Sequence, residues 1–459
     1  MSGRRRLSAR TVMDAHARTL PDYDRTGAPM IAHLGLGAFA RAHLAVYADE
    51  LLRRGRPGLI RGVSLRSRRA QDQLEPQDGL FTVAVREPGE HLSLQVIGAL
   101  SSAETGPAAA LEAMVAPTTG LVTLTITEKG YDAPAATPGT EPPTSAPALI
   151  ARALHRRRQA GIPPPVFASL DNLLDNGSTL RERVLHAAGE IDHVLAAWIA
   201  SDVHFPNSVV DRMVPAPTER DRDDISEELG LCDEAAVGAE RYCSWVMRST
   251  DGVAFLGDVG VELVDDVAPF ERRKLWLLNG PHSAAAYGGL LAGHATIADA
   301  VRDPVVARFV RALVGDTLEV DALPAALHPA AFADEALRRF ANPALGHTCT
   351  QVGADGSSKL PQRLLPIVDI RRSRALGTER FAAVVAIWLA ATAGVEVHGR
   401  RLPHLEDPLA GDLRSALAGP DGLRSLSRVA LGDTLFAMEV ASTLARVTSE
   451  GAAVLGVER

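Results

Sequence analysis

The sequence predicts an α/β chain of two domains, the first built on a parallel sheet and the second mainly α-helical, and three observations carry that prediction. A strand, a glycine-rich turn, a helix and a second strand follow one another between Met30 and Leu65. Short apolar runs at 121–127 and 165–170 end in polar residues, as parallel strands do where their carboxyl ends meet a ligand crevice. From about Ala268 onward apolar residues recur at helical spacing. The 459 residues, 46% apolar and 23% charged, exceed what one hydrophobic core usually supports. The expected layout is a tail over 1–28, the sheet domain over 29–267 and the helical domain over 268–459.

Charge and cysteine usage exclude several classes. A formal net charge of -8 with one basic cluster, Arg4-Arg5-Arg6, gives nothing that seeks a polyanion, so no nucleic-acid partner is expected. The three cysteines, Cys232, Cys243 and Cys349, lie far apart without metal-ligand spacing, so neither a disulfide framework nor a metal site is expected. No stretch reaches the ~20 apolar residues that span a bilayer, and the N-terminus lacks a signal-peptide core. A soluble, cytoplasmic protein without a membrane partner is the expectation.

Taken in order, Met30 to Leu34 reads as a buried strand, followed by GLGAFA and then by RAHLAVYADELLRR with helical periodicity. Gly35, Gly37 and Ala40 fit the G-x-G-x-x-G/A form, in which small residues let the backbone approach a pyrophosphate at the helix N-terminus. Gly35, Leu36, Gly37, Ala38, Phe39, Ala40 and Arg41 are therefore the candidate cofactor-binding stretch of a Rossmann-like domain. Leu59 to Leu65 supplies the second strand. It ends in Arg66-Ser67-Arg68-Arg69, where such folds often carry an acid for the ribose hydroxyl. Arg66, Arg68 and Arg69 keep NADP(H) open, since arginines there can hold a 2′-phosphate.

Phe81 to Val85 and Leu92 to Ile97 alternate as an inserted hairpin. Leu121 to Thr127 is a β-branched strand ending in Glu128-Lys129-Gly130-Tyr131, and Glu128 is a further cofactor-binding candidate. Asp132 to Pro147, with five prolines, reads as a surface loop. Pro165 to Leu170 is another strand and ends at Asp171-Asn172, which places Asn172 among crevice residues; an Asx turn explains it equally well. VHFPNSVVDRMVP (203–215) gathers Asn207, Asp211 and Arg212, a grouping that a plain loop also explains.

The second half opens with KLWLLNGPHSAAAY (274–287). In an α-helix Asn279 and His282 stand about 140° and 80° round from Lys274, on one broad face. A lysine held among leucine and tryptophan is disfavoured in its charged form, which makes Lys274 a candidate general base. The structural alternative is a snorkelling lysine, an asparagine capping a break at Gly280-Pro281 and a satisfied histidine.

Together and in this order, HLGLGAFARAHLAVYADEL (33–51), LTITEKGY (124–131), SLDNLLDNG (169–177), FPNSVVDRMVP (205–215), KLWLLNGPHS (274–283), FANPAL (340–345) and DGSSKLPQRLLP (355–366) resemble the mannitol dehydrogenase family. These are polyol-specific long-chain dehydrogenases that include the fructuronate reductases. The resemblance implies an NAD(H)-dependent, zinc-independent oxidoreductase with Lys274 as general base. It places Asn172 and Asn279 beside the reacting oxygen, and Asp211 and His282 on substrate hydroxyls. A polyol, ketose or uronate is the implied substrate, and a monomer or weak homo-oligomer the implied state.

Mannitol-oxidising members tend to carry an arginine where Gln351 aligns, and the 347–366 stretch is closer to the fructuronate reductase branch. A uronate carboxylate seeks a cation. Lys359 and Arg363 are the substrate candidates, with a structural role equally open to them. D-mannitol/D-fructose and D-mannonate/D-fructuronate thus compete. A catalytically silent nucleotide-sensing chain of the same fold is the alternative from another class; it predicts decay at the chemical positions, yet Lys274, Asn172, Asn279 and His282 are all present.

Overall fold

The computed structural model describes residues 4–87, 91–126, 130–131, 143–432 and 434–456. These divide into two compact units, Met1–Ala268 and Pro269–Arg459.

The first unit is organised on a five-stranded sheet of β1 (Ile31–Leu34), β2 (Ile60–Ser64), β5 (Leu100–Thr105), β6 (Leu121–Leu124) and β7 (Val166–Ser169), in the order β5-β2-β1-β6-β7. Every pair in it is parallel. This is the 3-2-1-4-5 order of a dinucleotide fold, with β1 central. Both faces are covered, which explains why the strands read as continuous apolar runs. Ile31 joins Leu44, Leu51 and Leu74 on one face. Ala32 and Leu34 join Met114, Leu149 and Leu154 on the other. β5 escapes sequence reading because LSSAET is mostly polar and only its first residue and Ala103 are buried.

Around this core, β3 (Phe81–Val85) and β4 (Ser93–Ile97) form the expected antiparallel hairpin. The pairing is extended by β9 (Val237–Ala239), parallel to β3. β8 (Ser208–Asp211), β10 (Ser244–Arg248) and β11 (Glu262–Val264) make a third sheet, so the 203–215 segment contains a strand rather than a plain loop.

Residues 4–28, expected as a tail, are part of the fold. Leu7 is fully buried with Leu94, Val96, Ile225 and Leu229. Its N–H donates to the Cys232 carbonyl at 2.9 Å, and the Val96 N–H donates to the Thr19 carbonyl at 3.0 Å. The apolar anchors Leu7, Val12 and Leu20 are too widely spaced to show a period. The last residues of the proline-rich segment also differ from a surface loop: Pro143 and Ser145 are buried and a helix starts at Ala146 (Ala146–Gln159). Residues 132–142 of that segment lie outside the described residues.

The second unit is helical apart from the two-residue strands Glu396–Val397 and Arg400–Arg401, continuing the strand labels as β12 and β13. The helix Glu379–Ala393 is buried without interruption from Phe381 to Ala393, which is why its sequence shows no amphipathic face. Small residues on Gly280–Ala292 bring its neighbours close. A Cβ on Gly289 would stand 2.7 Å from the Ala300 Cβ and 2.8 Å from the Cys349 Sγ. Gly356 faces the Trp388 indole and the Tyr287 hydroxyl, with no room for a side chain. The Trp388 indole N–H donates to Asp407 at 3.1 Å, and the Tyr287 hydroxyl to the Gly353 carbonyl at 3.0 Å. The helix bearing Lys359 (Gly356–Arg363) is thereby fixed at its start. No described helix is long and apolar enough to cross a membrane.

Candidate active-site residues and their supports

The glycine turn follows directly from the register of β1. Leu34 pairs with Val63 of β2 and Leu124 of β6, and Gly35 continues with its N–H on the Val63 carbonyl at 2.9 Å. Gly35 has φ +101°, and a Cβ there would run into the Thr125 carbonyl. Only glycine fits. Gly37 is different: a Cβ there would find one atom, the Gly35 oxygen, at 3.9 Å, so its exposed backbone faces open space.

His33, buried in β1, braces this turn. Its Nε2 lies 3.1 Å from the Gly35 carbonyl and its Nδ1 lies 2.8 Å from the Thr123 hydroxyl. A carbonyl only accepts, so Nε2 carries the proton and Nδ1 accepts from Thr123. Burial pushes the imidazole down to about 4 and keeps it neutral. Nothing in the sequence pattern distinguished His33 from an apolar strand residue.

A cavity of about 410 Å³ opens against the turn, lined by Gly35, Leu36, Gly37, Ala38 and Arg41, and by Ser64 at the end of β2 with Arg66, Ser67 and Arg69 after it. Two residues of the expected cofactor stretch are used otherwise. Ala40 is 2% exposed in the core, and Phe39 stacks on His43 with ring centroids 5.0 Å apart. Arg41 is buried, with its Nη1 donating to the Ala235 carbonyl at 2.5 Å and its Nε to Gly37 at 3.3 Å. It props the turn. Arg68 turns to Asp72, 3.6 Å away. Glu128 lies outside the described residues. A backbone cradle without side chains, opening on a cation-lined cavity, fits a dinucleotide pyrophosphate.

At the carboxyl end of β7, Asn172 is exposed while its neighbour Asp171 is buried. The Asp171 carboxylate accepts from the Tyr131 hydroxyl at 2.8 Å and from the Ile126 N–H at 3.2 Å. Asn176 donates to the carbonyls of Ser169, Asp171 and Ser208 at 3.1, 3.1 and 2.9 Å, and accepts from the Ser208 N–H at 2.9 Å. This network ties the end of β7 to β8, whose last residue is the buried Asp211. Arg212, next in sequence, donates to the Glu240 carbonyl at 2.9 and 3.0 Å and also to the Ala42 carbonyl. Asn176 and Tyr131 were not singled out by the sequence, because a buried asparagine is indistinguishable there from a helix cap.

In the second unit, no break occurs at Gly280-Pro281. The chain runs from Ala268–Lys274 through a π turn, Leu275–Asn279, into Gly280–Ala292, with the Gly280 N–H on the Leu275 carbonyl. Pro281 cannot donate to residue 277 and crowds that carbonyl, and a wider turn relieves both problems. A turn closed i→i+5 has more residues per revolution than an α turn, so residue 279 stands closer in angle to residue 274 than the about 140° of α geometry. Lys274 is half-buried. Asn279 is buried, and its backbone carbonyl accepts from the Ser283 hydroxyl at 3.2 Å and from Arg363 Nη1 at 3.4 Å.

Two polar atoms here stand out. Asn279 Nδ2 and His282 Nε2 are buried and have no hydrogen-bond partner among the described residues. The His282 ring stacks on Phe340 at 4.6 Å and lies 5.9 Å from the His347 ring. Burial holds its imidazole well below the usual range, reinforced by the charges of His347, Arg363, Arg339 and Lys359. The imidazole is buried and neutral, with cationic side chains nearby.

Lys359 Nζ donates to the Ala354 carbonyl at 2.6 Å. Arg363 Nη1 donates to the Ser283 hydroxyl at 2.8 Å. The Gln351 side chain accepts from the Thr348 N–H at 3.3 Å in a capping box, and is exposed. Among the described residues no group of three His, Cys, Asp or Glu is placed to hold a metal ion.

Sheet order, glycine cradle and cavity define the first unit as a dinucleotide-type domain carried by a chain with a helical second unit. The chain belongs to the mannitol dehydrogenase family of oxidoreductases acting on polyols or sugar acids: the pattern described as the mannitol dehydrogenase Rossmann domain matches residues 29–255, and the mannitol dehydrogenase C-terminal domain matches residues 266–441. It is 35% identical to a D-mannonate oxidoreductase of Escherichia coli (strain K12), with 91% of each chain covered. It is 31% identical to a mannitol 2-dehydrogenase of Phaeosphaeria nodorum, covering 97% of this chain and 84% of that one. Among solved structures, Pseudomonas fluorescens mannitol 2-dehydrogenase in ternary complex with NAD and D-mannitol superposes with a TM-score of 0.85 at 28% identity, covering 98% of this chain and 99% of that one.

Proposed function

We propose that the chain interconverts a secondary alcohol of a sugar acid with the corresponding ketouronate, of the D-mannonate/D-fructuronate type, using Lys274 as general base. The observation that carries this reading is that Asn279 Nδ2, at the end of the π turn after Lys274, and His282 Nε2, in the helix that follows, are buried without a partner among the described residues. A buried polar group without a partner costs about 1–3 kcal/mol, a cost that a ligand pairing with it removes.

In the oxidation direction Lys274 takes the hydroxyl proton. The Asn279 amide donates to the oxygen on which negative charge builds, a contribution of about 2.7–4 kcal/mol for one such donor. Neutral His282 meets a substrate hydroxyl. A nicotinamide dinucleotide, held by Gly35, Leu36, Gly37 and Ala38, supplies the hydride acceptor. The resemblance adds Asn172 and Asp211 as substrate-handling residues, and with a lysine as base the proton transfer needs no zinc.

A sugar acid is favoured over a polyol by the cations around His282. Lys359 and Arg363 are each engaged by the chain, and their charges near His282 complement a substrate carboxylate. Gln351, held in its own helix cap, offers no charge. The likeness to the D-mannonate oxidoreductase points the same way.

The test offers D-fructuronate and D-fructose with reduced dinucleotide and follows its absorbance. Turnover of the ketouronate, with fructose at least about a hundredfold poorer, is expected. Turnover of fructose alone would make the chain a polyol dehydrogenase and remove Lys359 and Arg363 from substrate binding.

A further inference from the structure

The end of β2 carries an inference that deepens the dinucleotide reading and rests on it. β2 closes at Ser64, whose carbonyl accepts the Gly106 N–H at 2.9 Å, and the chain continues as Leu65-Arg66-Ser67-Arg68-Arg69. In this fold order, the residue at the end of the second strand meets the adenosine ribose. A carboxylate there accepts from both ribose hydroxyls and repels a phosphate. Between Ile60 and Gln71 this chain has no carboxylate at all.

What it has instead is positive charge aimed at one cavity. Arg66, Ser67 and Arg69 are exposed and line the cavity that also borders Gly35 and Gly37. Neither Arg66 nor Arg69 has an acidic partner among the described residues, whereas Arg68, which does not line the cavity, is taken by Asp72. The Ser67 hydroxyl oxygen accepts the Arg69 N–H at 3.2 Å, which orders the corner and leaves the hydroxyl proton to donate. Arg41 and Arg222 line the same cavity, so four arginines stand against one carboxylate, Glu234. Burial brings the Arg41 guanidinium down to about 10, and the charges of Arg69 and Arg222 press in the same direction. Such a field has no use for a neutral ribose hydroxyl.

We propose that Arg66, Ser67 and Arg69 form a 2′-phosphate site, so that the chain binds NADP(H) in preference to NAD(H). A 2′-phosphate carries about -1.5 to -2 charges and three acceptor oxygens, matching two guanidinium forks and a hydroxyl.

Calorimetric titration of the full chain with NADP+, NAD+ and adenosine 2′,5′-bisphosphate tests this without any sugar substrate. NADP+ is expected to bind at least about tenfold more tightly than NAD+, with the difference shrinking as salt is raised. The bisphosphate is expected to compete with NADP+. R66A and R69A are each expected to narrow the preference about tenfold, and R68A to leave it in place. Equal or tighter binding of NAD+, or an unchanged preference in both R66A and R69A, overturns the proposal and leaves the dinucleotide reading standing. Failure of both dinucleotides to bind overturns the two together.

Discussion

The glycine turn of the first unit and the Lys274 helix of the second differ in how completely their polar groups are used. Around the turn, His33, Thr123 and Thr125 satisfy one another and the Gly35 carbonyl, and farther along the strand ends Tyr131, Asp171 and Asn176 do the same. Along the Lys274 helix, Asn279 Nδ2 and His282 Nε2 are buried without a partner among the described residues. Saturated networks hold a backbone in place. Unsaturated polar atoms beside Lys274 are available to meet a ligand, whereas Thr82 Oγ1 and Trp245 Nε1 are buried without a partner in the first unit, so lack of a partner marks a catalytic candidate only together with its neighbours.

The sharpest way to break this comparison is at Lys274. Lys274→Ala is expected to lower turnover by about 10²–10⁴-fold while dinucleotide binding, read by titration, stays unchanged. Equal loss of both would make Lys274 a structural residue. Next in size, Asn279→Ala is expected to cost about 10²–10³ in kcat with little change in melting temperature. Asn176→Ala should do the reverse, losing about 2–3 kcal/mol of stability because three carbonyls lose a shared buried donor. If the two asparagine variants behave alike, satisfaction does not distinguish support from site.

Gly35→Ala probes the saturated turn itself. The new Cβ meets the Thr125 carbonyl at a positive φ, so a loss of more than about 1 kcal/mol, together with weakened dinucleotide binding, is expected from denaturant unfolding. A stable variant with intact binding would mean that the turn has another conformation available.

The effect that needs no substitution is a pH dependence. The folded His33 imidazole, at about 4, sits below its unfolded value of roughly 6.5. Its neutral burial therefore stabilises fully above about pH 6.5, and the contribution is lost as pH falls toward 4, by up to about 3 kcal/mol. His282 and His347 are shifted in the same direction. Thermal melts across that window should fall with acid, and His33→Gln should flatten the curve. A wild-type melting temperature that holds steady from pH 7 to about 4 would show that these histidines are not kept neutral.

Sequence by itself determined whatever local backbone chemistry dictates. The strand before Gly35, the turn that only glycine can make, the helix after it, the hairpin of β3 and β4 and the switch to helical periodicity near Ala268 all follow from short-range sterics and apolar period. So does the candidate list, because a lysine, an asparagine and a histidine inside an apolar run are visible as letters.

Tertiary structure decided the rest. The mostly polar β5 is a strand because β2 offers it a parallel partner, and the N-terminal segment is packed because Leu7 finds a core made from residues 80–96 and 225–236. The π turn between Lys274 and Gly280 comes from proline sterics played out inside a packed helix. Which arginine at the end of β2 faces the cavity, and which is spent on Asp72, depends on side-chain partners in space. Pairing of polar groups is a property of neighbours, and distant neighbours are what a linear sequence does not show.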